Sequence, residues 1–369
     1  MPYAWPASQP NIAGPKTREL MDKRRFRVGV TRDFRQADGS LVFAPVDLAP
    51  LDEAPGIDWE FLARDERELT PDLIRGYDAI YHFSPSVTAA SLEGIDELVL
   101  LARSGVGLDN IDLDACTAHG VVVTITPDAI RRPMASAAVA LVLALAHRLI
   151  ERNSAFHEAR WQEARFGVLG FGLTARMLDL IGFGRIGREV ARLLERWQMR
   201  VVVTSRSLTD EEARAAGVER AELDDLLRES DVVVVACPLT PETHHLLDAR
   251  RLGLMKPTAV LVNVARGPIV DQGALSEALR EGRLAAAGLD VFEQEPIAAD
   301  DPLLGLSNVL AAPHAAGYTD ELFRGCVESA SRAVIAVASG HVPEHIANPA
   351  VLETGGFRSK LERLRGVPA

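Results

Sequence analysis

A six-residue run in mid-chain, Gly182-Phe183-Gly184-Arg185-Ile186-Gly187, constrains this chain more than any other feature. Met177-Leu178-Asp179-Leu180-Ile181 precedes it as a strand candidate, and Arg188 to Trp197 follows as an amphipathic helical pattern. Glycines so spaced between a strand and a helix make a dinucleotide-binding turn. Gly182 permits the tight turn. Gly184 lets backbone approach a pyrophosphate, and Gly187 lets helix and strand pack closely. The helix start at Arg185 and Ile186 then offers free N–H groups to the phosphates. Because the turn begins at residue 182, a separate unit must precede it.

Short β-branched runs alternate with helical patterns on both sides of this turn. Before it, strand candidates are Phe26–Val30, Ala79–Phe83, Leu98–Ala102 and Val121–Ile125. From the turn onward they are Leu178–Ile181, Arg200–Thr204, Val232–Ala236, Ala259–Val264, Ala286–Val291 and Val309–Ala311. Continuous apolar strands with helices between them predict parallel sheets covered on both faces, and this number suits two sheets better than one. A helix is expected from about Arg132 to Arg152. The Ala-rich segment from Thr319 to about Gly340 is helical and returns to the first unit. The expected domains are therefore 1–126 with 319–369, and 127–318 inserted between them. The tail after Asn348, with Gly355-Gly356 and many charges, is expected at the surface or partly disordered.

Composition narrows the partners. The chain has 369 residues, 47% hydrophobic, enough for two cores. Its net charge of −12 opposes non-specific binding to nucleic acid or anionic membrane. It does not oppose an anionic substrate, because one local Arg outweighs an average. Three widely spaced cysteines, Cys116, Cys237 and Cys326, make no Cys-x-x-Cys and fit a reducing cytoplasm. Met1 to Lys23 lacks an apolar core of the secretory type. The apolar stretch Met134 to Ala146 is short and reads as a buried helix. No His-Glu-x-x-His or comparable metal motif is present.

Three residues downstream carry chemistry. Arg266 sits in Val262-Asn263-Val264-Ala265-Arg266-Gly267-Pro268, Glu295 closes Gly288-Leu289-Asp290-Val291-Phe292-Glu293-Gln294-Glu295, and His314 lies in Ala312-Pro313-His314-Ala315-Ala316-Gly317. A cation, a carboxylate and an imidazole beside a nicotinamide site are what hydride transfer to a keto acid requires. The cation holds the substrate's negative end, the imidazole moves the proton, and the carboxylate keeps the imidazole charged and oriented. Where an acidic residue would bind a ribose 2′-hydroxyl, this chain has Thr204-Ser205-Arg206-Ser207. Ser205 and Arg206 suit a 2′-phosphate, which favours NADP(H), with NAD(H) as the alternative.

With these motifs in order, the chain resembles the D-isomer-specific 2-hydroxyacid dehydrogenase family over roughly Phe26 to Pro349. The resemblance implies a flavodoxin-like substrate domain and an inserted Rossmann domain, both doubly wound parallel sheets. It implies that Arg103-Ser104-Gly105-Val106-Gly107-Leu108-Asp109-Asn110 is the substrate-carboxylate loop, with Val106 and Gly107 N–H groups binding an anion. Pro238 and Thr243, in Cys237-Pro238-Leu239-Thr240 and beyond, would lie along the cofactor with Val264, Ala265 and Gly317. Asp290 would contact the nicotinamide amide or ribose. Arg266 would bind substrate carboxylate and carbonyl, His314 would be the acid/base, and Glu295 its partner. Ser84, in His82-Phe83-Ser84-Pro85-Ser86-Val87, is a candidate for the substrate tail, as is Ser86. The helix region 132–152 would pack across a two-fold homodimer interface. Three departures stand out: Ser136 where the family has Glu, Asp179 in place of a small residue, and Ala175 in place of a turn Gly.

The reaction expected is reduction of a small 2-keto acid, or oxidation of the D-2-hydroxy acid. Two other readings share the scaffold. One is a dinucleotide-responsive binding protein of the corepressor type, and the other a phosphite-type dehydrogenase. Turnover on 2-keto acids separates them.

Overall fold

A computed structural model describes residues 25–36, 38–42 and 47–365. The N-terminal segment Met1–Lys23 lies outside the described residues. Two parallel sheets organise the chain. β1 (Phe26–Val30), β2 (Ile57–Phe61), β3 (Ala79–His82), β4 (Leu100–Arg103) and β5 (Val122–Thr124) form the first, in the order β2-β1-β3-β4-β5. That is the flavodoxin-like order. The second holds β6 (Met177–Ile181), β7 (Arg200–Thr204), β8 (Glu219–Arg220), β9 (Val232–Val235), β10 (Val260–Asn263), β11 (Ala286–Leu289) and β12 (Val309–Ala311). Its order, β12-β11-β10-β9-β6-β7-β8, places the first strand at the switch point of a Rossmann sheet. Every strand pair is parallel.

The apolar runs explain the central strands. Val232, Val233, Val234 and Val235 are all buried, because helices cover both faces of that sheet. The two strands missing from the expectation lie at sheet edges. β2, Ile57-Asp58-Trp59-Glu60-Phe61, exposes Asp58 and Glu60, and so lacks a continuous apolar run. β8 has two exposed residues that pair with Val202 and Val203.

Two expected segments differ from what is observed. The helix placed at Arg132–Arg152 runs from Pro127 to Ala146. It ends at Arg148, whose φ of 54° is left-handed, and a second helix then covers Leu149–His157. Ala135, Ala138, Val142 and Leu145 of the long helix pack into the core on one face of the Rossmann sheet. It is long and apolar enough to cross a membrane, but its apolar side is used inside the protein. The tail after Asn348 is ordered as far as Arg365, not loose. A helix at Gly355–Arg365 buries Phe357 and Leu361, an i,i+4 pair, against the five-stranded sheet's core. Lys360 Nζ donates to the carbonyls of Leu98 and His119, both at 2.7 Å. The helix Asp320–Ala338 packs on that same core through Val327, Ala330, Val334 and Val337.

Asp179 is the odd residue in the second sheet. It is buried in β6, paired in register with Val202 and Val233, and neither carboxyl oxygen has a hydrogen-bond partner. Burial alone pushes its pKa up to about 8. Its folded value lies above the unfolded one. Its contribution is therefore most favourable below the unfolded pKa and is lost as pH rises towards 8. Ala175, nearby, sits at a left-handed φ of 60°, where Gly carries no penalty. We expect Asp179→Val to stabilise the protein by about 1–3 kcal/mol, with a larger gain in Tm at pH 8 than at pH 5. A Tm gain that does not grow between pH 5 and pH 8, measured by scanning calorimetry, would contradict this account.

Candidate active site

Parallel sheets gather functional groups at the carboxyl ends of their strands. β3 ends at Phe83 and Ser84, and β4 at Arg103 to Gly107. β6 leads to Gly182, β9 to Cys237 and Pro238, and β10 to Val264, Ala265 and Arg266. β11 ends at Asp290, and β12 at Pro313 and His314. Many of these residues line one cleft of about 740 Å³ between the sheets. Of the expected site residues, it brings together Ser84, Val106, Gly107, Ile186, Pro238, Val264, Ala265, Arg266, Asp290, His314 and Gly317.

His314 is positioned by its own loop. Its backbone is left-handed, at φ 54°. Its N–H donates to the Asp290 carbonyl at 2.7 Å, while Asp290 Oδ1 accepts from the N–H groups of Ala315 and Ala316, both at 2.8 Å. Asp290 thus acts as the brace of this loop. Burial pushes its pKa up, against the pull of those amides. His314 Nδ1 lies 2.7 Å from Glu295 Oε2, and Glu295 Oε1 accepts from Phe292 N–H at 3.0 Å. Burial would raise the Glu295 pKa, but His314 and the Phe292 amide outweigh it and hold the carboxyl below its usual value. An Nδ1 proton held by Glu295 leaves Nε2 as the nitrogen for proton exchange.

Arg266 crosses between the sheets. Its Nε donates to Asp109 Oδ1 at 2.8 Å and its Nη1 to the Ala265 carbonyl at 2.7 Å. A Cβ on Gly107 would meet Arg266 Nη2 at 1.6 Å, so only Gly allows this approach. Asp109 belongs to the carboxylate-loop motif, but its spacing there gives no hint of this partner. Arg103, at the start of the same motif, is a cleft residue that sequence reasoning missed. Its Nε donates to the Gly107 carbonyl at 3.1 Å, and its Nη1 is buried without a hydrogen-bond partner. Burial, then the charge of Arg266, lowers its pKa to about 10, so it stays cationic at neutral pH.

Several expected residues are held by protein partners of their own. Ser84 gives both its N–H and its hydroxyl to Asp33 at the cleft edge. Ser86 donates to the Arg67 carbonyl. Thr243 closes its own turn, with Oγ1 donating to the Pro238 carbonyl at 2.8 Å. Arg185 pairs with Asp128 at 2.7 Å, and exposed Arg206 lies 3.6 Å from Glu242. Ser205 is half-buried beside it. Cys237 walls the cleft as a neutral thiol, since burial raises its pKa to about 11.

The glycine turn fits a dinucleotide. Gly182 has φ 102°, and a Cβ there would meet Cys237 N at 2.7 Å. A Cβ on Gly187 would meet the Gly182 carbonyl at 2.3 Å, which explains close packing of the helix Arg185–Leu194. A Cβ on Gly184 would meet nothing within 4 Å, so the space beside that backbone is open. Gly182, Gly184 and Gly187 therefore suit a pyrophosphate on the helix N-terminus.

Comparisons with known proteins agree with this geometry. The family described as D-isomer specific 2-hydroxyacid dehydrogenase, NAD binding domain, matches residues 139–316. A glyoxylate reductase of Thermococcus onnurineus is 40% identical over 300 residues, covering 80% of this chain and 90% of that protein. A solved protein from Thermus thermophilus superposes with a TM-score of 0.76 at 33% identity, covering 87% of this chain and 99% of the other. A D-lactate dehydrogenase from Aquifex aeolicus, solved with NAD and lactic acid, gives a TM-score of 0.76 at 28% identity, with 87% and 99% covered. The chain belongs to the D-isomer-specific 2-hydroxyacid dehydrogenase family. It is a nicotinamide-dependent oxidoreductase of hydroxy and keto acids.

Gly184 and Gly187 separate binding from folding. At Gly184, φ is −77°, which any residue adopts. Gly184→Val should keep Tm within about 2 °C, as expected where nothing is overpacked, and weaken nucleotide binding at least tenfold. Gly187→Val should lower Tm itself, because overpacking costs about 1–3 kcal/mol. Fluorescence titration with NADPH beside thermal unfolding checks both. Undiminished affinity in Gly184→Val would remove that position from the site.

Proposed function

We propose that this protein reduces a small 2-keto acid to the D-2-hydroxy acid, with His314 as the proton donor. The observation that carries this reading is the 2.7 Å His314–Glu295 pair, with His314 lining the same cleft as Arg266 and as Ile186 of the glycine turn. A reduced nicotinamide, when bound, supplies hydride to C2. Arg266 and the Val106 and Gly107 N–H groups hold the substrate carboxylate. Arg266 also polarises the C2 oxygen. His314 Nε2 gives its proton to that oxygen, completing the alcohol. Glu295, in contact with Nδ1, fixes the ring so that Nε2 is the nitrogen left for the substrate. Oxidation needs neutral His314, so reduction gains at lower pH and oxidation at higher pH.

Gly182, Gly184, Gly187, Arg185 and Ile186 would hold the pyrophosphate, with Arg185 leaving Asp128 for it. Ser205 and Arg206 would take a 2′-phosphate, which makes NADP(H) the preferred cofactor. Pro238, Thr243, Val264, Ala265, Asp290 and Gly317 would flank the rest of it, Thr243 by shaping the turn. Glyoxylate is the first substrate to test, because the Thermococcus relative is named a glyoxylate reductase. The cytoplasm is the matching compartment for a pyridine nucleotide enzyme with free thiols.

The test is a panel of 2-keto acids with NADPH and NADH, followed by absorbance of the reduced nicotinamide. NADPH should give the higher kcat/KM. His314→Asn should lower turnover by about two to four orders of magnitude. No turnover on any 2-keto acid, or a near-wild-type His314→Asn, would overturn this reading.

We also propose that this chain forms a homodimer through the 132–152 helix region and the segment that follows it. Large apolar side chains stand exposed at the end of that region and beyond it. They are Leu149, Phe156, Trp161, Phe166 and Leu169, the last at 90% exposure. Such a patch marks an interface. Sedimentation at micromolar concentration should give a dimer, and Phe166→Asp with Leu169→Asp a monomer. A monomeric wild type would remove the interface.

A further inference from the structure

Arg103 does no work in the reaction described above, yet it is the most unusual charge in the cleft. Among the described residues no carboxylate forms an ion pair with it. Its Nη1 is buried without a partner, although one face of the residue lines the cleft. Buried charges are ordinarily paired and hydrogen-bonded, because desolvation is expensive otherwise. The fold keeps this cation in place by one bond, from Nε to the Gly107 carbonyl. Arg266 lies against the same glycine. Two guanidinium groups thus flank one loop residue, and only Arg266 has a carboxylate of its own, Asp109.

The walls near Arg103 are Phe83, Ser84 and Tyr318. They belong to the segments expected to meet the substrate tail, not its C1 carboxylate. Asp33 sits behind Ser84, with Oδ2 taking both Ser84 donors and Oδ1 buried without a partner. That carboxylate is already partly satisfied. A full cation with a missing partner is the larger imbalance, and it selects the sign of the ligand.

We propose that Arg103 recognises a second anionic group on the keto acid, a carboxylate or phosphate carried beyond C2. The inference rests on the keto acid reading, and it makes the preferred substrate a dianion instead of glyoxylate. Arg266 takes the end that reacts, and Arg103 takes the far end. A guanidinium fork suits either oxyanion, because both offer two acceptor oxygens in a plane.

The experiment compares glyoxylate, pyruvate and hydroxypyruvate with oxaloacetate, 2-oxoglutarate and 3-phosphohydroxypyruvate, in wild type and Arg103→Met. Wild type should prefer at least one dianion over glyoxylate by tenfold or more in kcat/KM. The arm that wins, carboxylate or phosphate, identifies the tail. Arg103→Met should lose about 100-fold on that dianion, mainly in KM. Its ratio of dianion to glyoxylate should fall by a similar factor. Arg103→Lys, which keeps the charge but not the fork, should lose about tenfold on the dianion and covers the case of a Met variant that does not fold. Equal use of glyoxylate and every dianion by wild type would overturn the proposal while leaving keto acid reduction intact. So would an equal loss on all six acids in Arg103→Met, which would make Arg103 a partner of the shared carboxylate. Reduction of none of the six would overturn both readings together.

Discussion

Asp290 is the residue on which the arrangement of the site depends. It ends β11 and holds the following strand's loop by three bonds, two to its side chain and one to its carbonyl. A left-handed backbone at a non-glycine residue is costly, and His314 stays there because those bonds over-determine it. The imidazole then meets Glu295, which is itself fixed by the Phe292 amide. The geometry of the His314–Glu295 pair therefore derives from a buried carboxylate outside it.

Charge in the cleft is shared between the two sheets. Arg266 comes from the end of β10, and its partner Asp109 from the loop after β4. Arg185 at the glycine turn pairs with Asp128 at the start of the long helix. Both pairs are partly exposed, and such pairs contribute little stability, about 0–1 kcal/mol. Their value is positional. Each holds a guanidinium in place, and of the two it is the Arg266–Asp109 pair that joins one sheet to the other.

What can be read from the sequence follows the range of the interactions involved. The glycine turn and the Arg266, Glu295 and His314 phrases are local, so their spacing alone discloses them. The central strands are legible for the same reason: Val232 to Val235 are apolar without a break. β2 is not, because an edge strand need not hide Asp58 and Glu60. The helix of the C-terminal tail is masked by its charges, since Phe357 and Leu361 face the core while most of its other residues face water. Thr243 closes a local turn onto Pro238, whereas the partner of Arg185, Asp128, is set by a tertiary contact that no spacing reveals. Arg103 stands in a legible motif, but its missing ion pair is a fact of three dimensions.

Under the proposed function, the reaction and its substrate are written in different sheets. His314, Glu295, Arg266 and the glycine turn all follow strands of the Rossmann sheet. Ser84, Arg103, Val106 and Asp109 follow β3 and β4 of the other. A change at the end of β4 can therefore alter which acid is accepted without moving the imidazole or its carboxylate. The matched NAD-binding region, residues 139–316, contains the whole of the first set and none of the second. Membership in the family is for that reason strong information about hydride chemistry and weak information about the acid's tail. The tail must be inferred from the charges that this chain's own first sheet leaves unbalanced.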